Sequence, residues 1–151
     1  MRHLAPIVLV TFLIALAATP AGARPRPPAP PSNAAGPPPA WVETRGGDRW
    51  LAFSTYCWTT VCADYIPPWD RDDLPGIALR RGEVVRFHLR YQPRRVTLRF
   101  FSAGGANSTH AFRLAPGRVV EWRVRGRGGI ALLETFASKG DAGFVARLRI
   151  R

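Results

Sequence analysis

From residue 41 to the C-terminus, apolar and polar positions alternate in short runs separated by glycine and proline, and no segment keeps a 3.6-residue repeat for long. A period of two puts successive side chains on opposite faces, so this pattern predicts strands. Over 84–91, Val85, Phe87, Leu89 and Tyr91 take one face and Arg86, His88 and Arg90 the other. Gln92-Pro93-Arg94 reads as a turn, and Val96, Leu98 and Phe100 then face inward against Arg95, Thr97 and Arg99. The two runs are expected to pair as a hairpin. Four more runs follow at 109–114, 118–125, 130–137 and 143–151. Their inward positions include His110 and Phe112, then Val120, Trp122 and Val124, and finally Phe144, Ala146, Leu148 and Ile150. Upstream, 49–55 and 77–80 are shorter candidates. Seven to nine short strands in about 110 residues predict an all-β fold, a small two-layer β-sandwich of immunoglobulin-like dimensions, with a small barrel as the other solution.

The first 40 residues do not share this pattern. Arg2 and His3 precede an almost unbroken apolar run, Ile7 to Ala18, and Ala21-Gly22-Ala23 has the small-residue form of a cleavage site. Residues 1–23 therefore read as a signal peptide whose removal leaves Arg24 first. An apolar run of about a dozen residues falls short of the ~20 that span hydrocarbon, so no transmembrane segment is expected in the mature chain. Residues 24–40 hold eight prolines in seventeen positions and read as a disordered proline-rich linker. Extended at ~3.1 Å per residue, it would reach roughly 50 Å; a tail with no role is the alternative. The folded domain is expected over 41–151, in a secreted, extracellular or cell-envelope setting.

Charge narrows the partners. The formal net charge is +12, and removal of the leader takes away one cation, Arg2, and no acid. Lys139 is the only lysine among 22 basic residues, an arginine bias that fits a GC-rich bacterial genome. A field of this sign favours anionic partners: nucleic acid, acidic cell-wall polymers or lipid headgroups. If 84–91 and 95–101 pair, Arg86, Arg90, Arg95 and Arg99 crowd one outer surface, where planar guanidinium forks suit phosphate or carboxylate. Ordinary solvated strand faces are the bland account of the same residues.

Cys57 and Cys62 are separated by four residues in a chain bound for an oxidising compartment, and a local disulfide is expected. Around them, Ser54-Thr55-Tyr56-Cys57-Trp58 and Cys62-Ala63-Asp64-Tyr65-Ile66-Pro67-Pro68 resemble the signature of an uncharacterised group of small bacterial secreted proteins and lipoproteins. In that group Tyr-Cys-Trp precedes Cys-x-Asp and then proline. Leu79-Arg80-Arg81-Gly82-Glu83 and 140–146 are also similar. The resemblance implies an extracellular β domain and supplies no activity.

Catalysis finds no motif: Gly-x-Ser-x-Gly is absent, and His88 and His110 stand in no recognised spacing with serine or aspartate. His88 reads as a solvated strand residue and His110 as a buried imidazole. Blue copper wants an axial methionine, and the only one, Met1, leaves with the leader. No enzyme activity, metal or cofactor is expected. Asp64, Asp70, Asp72 and Asp73 place four of ten acids within ten residues, which suits either Ca²⁺ chelation or turn chemistry with salt bridges to arginine. The same stretch carries Tyr56, Trp58, Tyr65 and Trp69. Rings beside carboxylates can stack on sugar faces and bond their hydroxyls, so Trp58, Tyr65, Trp69, Asp64 and Asp70 are the candidate ligand-binding residues. The alternative is that these rings cover one end of the sandwich. Asn107-Ser108-Thr109 matches a glycosylation sequon but reads as a loop after Gly104-Gly105. Two functions remain: a non-catalytic envelope domain binding an anionic cell-wall polymer or carbohydrate, or an accessory protein docking another envelope protein through a sheet edge or the disulfide loop.

Overall fold

The computed structural model describes residues 35–102, 105 and 107–151; the expected signal peptide and residues 24–34 of the proline-rich stretch lie outside the described residues. Among the described residues eleven strands form: β1 (Trp41–Glu43), β2 (Arg49–Trp50), β3 (Ala52–Trp58), β4 (Val61–Ala63), β5 (Gly76–Leu79), β6 (Val84–His88), β7 (Arg95–Phe101), β8 (Ser108–Leu114), β9 (Val119–Arg123), β10 (Gly129–Ala137) and β11 (Gly140–Ile150). A four-stranded sheet runs β2-β1-β6-β9, and a larger one runs β4-β3-β11-β10-β7-β8. All these pairings are antiparallel; β5 adds to β11 in parallel. The eleven residues of β11 serve two neighbours along one side, β3 against 140–145 and β5 against 147–150.

The alternation dictates the core. Val42, Val85, Phe87, Val120 and Trp122 of the small sheet meet Val96, Leu98, Phe100, Leu133, Phe144, Ala146 and Leu148 of the large one in a single buried cluster. Phe100 and Trp122 touch across the layers with ring centroids 5.4 Å apart. Burial of this many large side chains, each contributing roughly 1.5–3 kcal/mol, is what orders the two layers.

The expected hairpin between 84–91 and 95–101 does not form. β6 pairs with β1 and β9, whereas β7 pairs with β10 and β8 in the other sheet. Residues 89–94 arch across the core: Leu89 N–H donates to Arg118 O at 2.7 Å, Arg94 N–H to Phe136 O at 2.6 Å, and Pro93 is buried between these ends. Tyr91, half-buried, hydrogen-bonds the hydroxyl of fully buried Thr135 at 2.5 Å. An arch keeps the same residues facing inward as a hairpin does, so the alternation fits both.

At the other boundary, Pro37 and Ala40 are buried, and Leu51 N–H donates to Ala40 O at 3.0 Å. The packed domain thus takes in the end of the proline-rich stretch.

Two tight hairpins meet at one corner. Ser138-Lys139 joins β10 to β11, Thr59-Thr60 joins β3 to β4, and Thr59 N–H donates to Lys139 O at 2.6 Å. Gly140 sits there at φ +137°, where a Cβ would fall 2.0 Å from Cys57 O, so no other residue fits. Cys57 and Cys62 are directly opposed in the β3–β4 register and joined by a disulfide, with Cα atoms 4.0 Å apart.

Candidate functional site

The segment between β4 and β5 positions the site. Beyond Cys62 the chain crosses the outer face of the large sheet, where Leu74 and Trp69 cover Phe101, Ile130, Leu132 and Val145 in a second apolar cluster. Pro67-Pro68 initiates one 3₁₀ turn over 68–70, with Asp70 N–H donating to Pro67 O at 2.9 Å. Arg71 rivets the crossing. Its guanidinium donates to Phe53 O at 2.5 Å and to both oxygens of Asp73 at 2.8 and 2.7 Å, and Arg147 Nη2 donates to Arg71 O at 3.1 Å. The bidentate bond to Arg71 holds the Asp73 carboxyl below its ordinary value and raises the guanidinium's.

Between this strap and the sheet lies a groove of about 480 Å³. Tyr65, Pro67, Pro68 and Trp69 line it from the strap; Arg99, Leu132, Glu134, Phe136, Asp141 and Gly143 line it from the sheet. A bulge in β3 at Ser54–Thr55 faces Gly143, where a Cβ would stand 3.0 Å from Ser54 Cβ and 3.1 Å from Thr55 O. The glycine keeps the floor low. Tyr65 and Phe136, 38% and 40% exposed, present partly open rings to this groove from its two sides. Arg99 Nε donates to Glu134 Oε2 at 2.8 Å, and the Arg95 guanidinium lies 3.8 Å from the Phe136 ring centroid. Asp141 makes no ion pair among the described residues.

A second concavity, about 730 Å³, opens at the end of the sandwich. Phe100, Phe101 and Phe112 line its apolar part, and Arg81, Arg125, Arg127 and His110 its polar part; no acid is among its described lining residues. Backbone hydrogen bonds bring Arg81 beside the segment that carries Arg125: Gly82 N–H donates to Val124 O at 2.8 Å, and Arg81 N–H to Arg151 O at 2.9 Å. Arg125 lies over Phe112 at 5.5 Å. Phe101 lines both concavities, so they adjoin.

Trp58 is a core residue, 5% exposed and packed on Tyr91 with ring centroids 4.7 Å apart, so its ring is not presented to a ligand. Tyr65 and Trp69 do line the groove; Asp64 and Asp70 are exposed and do not. Arg86, Arg90, Arg95 and Arg99 do not share a face, because β6 and β7 belong to different sheets. Arg86 lies on the small sheet, bonded to Glu121 at 2.8 Å and Glu43 at 3.3 Å, and these acids hold its charge. Arg95 and Arg99 lie on the opposite outer surface, and Arg90 is in the arch. His110, expected inside, is exposed at the start of β8, and its imidazole bonds Thr109 O. His88, expected in solvent, is stacked on Trp41. Among the described residues, no three His, Cys, Asp or Glu side chains converge on a metal position, and no helix is long and apolar enough to cross a membrane.

Sequence reasoning passed over Phe136, Glu134 and Asp141. The one signal was an aromatic out of phase with the core row of β10, and Ile130-Ala131-Leu132-Leu133, apolar on both faces, hides that phase. No protein-family model matches the chain, and no curated protein or solved structure matches it.

Proposed function

We propose that this protein is a secreted, non-catalytic domain of the cell envelope that binds a sugar-containing polymer in the groove beneath the 64–75 strap. The observation that carries the reading is the convergence of Tyr65, Trp69 and Phe136 with Glu134, Asp141 and Arg99 in one concavity. Sugar rings have apolar C–H faces that rest on aromatic rings and hydroxyl edges that bond carboxylate and guanidinium groups, and the groove supplies both. It is open rather than enclosed, which leaves room for a chain to continue beyond it. The disulfide-stapled β3–β4 hairpin and Arg71 hold the strap without any ligand, so little ordering accompanies binding.

The test is titration of the secreted protein with purified envelope polysaccharides, followed by tryptophan fluorescence and calorimetry. Binding should perturb Trp69 and weaken at least tenfold in a Tyr65→Ala/Phe136→Ala variant whose thermal unfolding is near that of the parent. A single envelope protein recovered in high salt, with no polysaccharide bound, would replace this reading with a docking role.

A further inference from the structure

We infer that the basin formed by Arg81, Arg125, Arg127 and His110 binds the acidic groups of the polymer whose sugar rings occupy the groove, so that the ligand is an acidic polysaccharide. The inference rests on the sugar reading of the groove and adds the charge of the ligand and a second site.

Three observations lead to it. Like most of the described arginines, Arg81, Arg125 and Arg127 make no ion pair, but these three line one concavity in which no described lining residue is acidic. Three guanidinium groups gathered without acids repel one another, and an incoming anion relieves that repulsion. The basin is also concave and partly apolar, floored by Phe100, Phe101 and Phe112. Low-dielectric walls strengthen an arginine–carboxylate or arginine–sulfate bond beyond its value on a flat surface. Finally, Phe101 borders both concavities, and Trp69 packs on it with ring centroids 5.3 Å apart, so the basin at the end of the sandwich adjoins the groove on the outer face of the large sheet.

Single-stranded nucleic acid also combines rings with negative charge. The groove argues against it: Glu134 and Asp141 are among its lining residues and oppose a phosphate backbone laid along it. A saccharide with hydroxyls in the groove and spaced carboxylates or sulfates in the basin meets both surfaces with the right sign.

The experiment uses immobilised glycans in which a uronate alternates with a neutral sugar (hyaluronan and unsulfated chondroitin), each also in carboxyl-reduced form, and an oligothymidylate. The secreted parent should bind at least one acidic glycan more tightly than its reduced form and lose that preference as salt rises. An Arg81→Gln/Arg125→Gln/Arg127→Gln variant should lose roughly tenfold or more in affinity for the acidic glycan, since each substitution removes one charge-assisted bond. Its residual affinity should equal the parent's for the reduced glycan, which also shows that it is folded. Unchanged affinity in the triple variant, with loss in Tyr65→Ala/Phe136→Ala, would overturn the basin and leave the groove reading standing. Loss in the triple variant with none in the aromatic one would overturn the groove reading and the shared ligand together. Preference for oligothymidylate, or binding to no glycan, would overturn the inference.

Discussion

The His88 imidazole lies flat on the Trp41 indole, with centroids 4.5 Å apart and planes 5° from parallel. β1 and β6 pair Trp41 directly opposite His88, which sets the stack, and His88 Nε2 donates to Glu43 Oε2 at 2.9 Å. Glu43 also receives Arg86, so this outer face is a connected polar layer rather than loose solvated charge.

That layer predicts an acid limb in stability. The hydrogen bond from His88, followed by attraction to His88 and Arg86, holds the Glu43 carboxyl below its ordinary 4.5. The unfolded chain therefore takes up this proton first, and stability present above 4.5 declines as pH falls through the lowered value. Urea unfolding measured at stepwise lower pH should show a shallower decline in Glu43→Gln than in the parent. Identical slopes would mean the bond contributes nothing.

An opposite dependence is expected at high pH. Burial pushes the Tyr91 phenol up to about 12, against a partly opposing bond to Thr135. The unfolded phenol ionises near 10, so the folded state holds its proton longer, and stability is lost as pH rises from 10 toward 12. Tyr91→Phe removes this alkaline term, at a cost near neutrality of about 1 kcal/mol for the lost Thr135 bond. Unfolding midpoints at high pH for the two proteins measure the difference.

Removing the disulfide should matter modestly. Cys57 and Cys62 close a very short loop already held by the β3–β4 ladder, and the chain-entropy expression gives about 2 kcal/mol for a loop of this size. Cys57→Ser/Cys62→Ser should lower the unfolding free energy by that amount, read as a lower urea midpoint with little change in slope because the loop is so short. A loss above about 4 kcal/mol would show that the bridge sustains native packing rather than limiting the unfolded chain.

Trp58 and Trp69 should separate cleanly. Trp58→Ala opens a cavity under Tyr91 and should cost roughly 3–5 kcal/mol. Trp69→Ala, at a half-buried position on the outer face, should destabilise less and abolish the ligand-induced fluorescence change. Equal stability losses would place both rings in the core.

Much of this architecture was legible in the chain. Val85, Phe87, Val96, Leu98, Val120 and Trp122 face inward because period-two alternation binds each side chain's direction to its neighbour's, whatever the strand pairs with. The disulfide was legible too, since only two cysteines are present and four residues separate them in a chain read as secreted. Which strand lies beside which was not. A hairpin and an arch share one inside–outside pattern, and only the competition between β10 and β6 for the edge of β7 separates them. That competition is settled by distant segments, so the supposed arginine face came apart into Arg86 with Glu43 and Glu121 on one side and Arg99 with Glu134 on the other. The groove and the basin are tertiary for the same reason: Tyr65 meets Phe136, and Arg81 nears Arg125, only because the sheets bring residues far apart in sequence to one surface. Alternation along a strand is a local property of the backbone, whereas adjacency between strands is a property of the whole core.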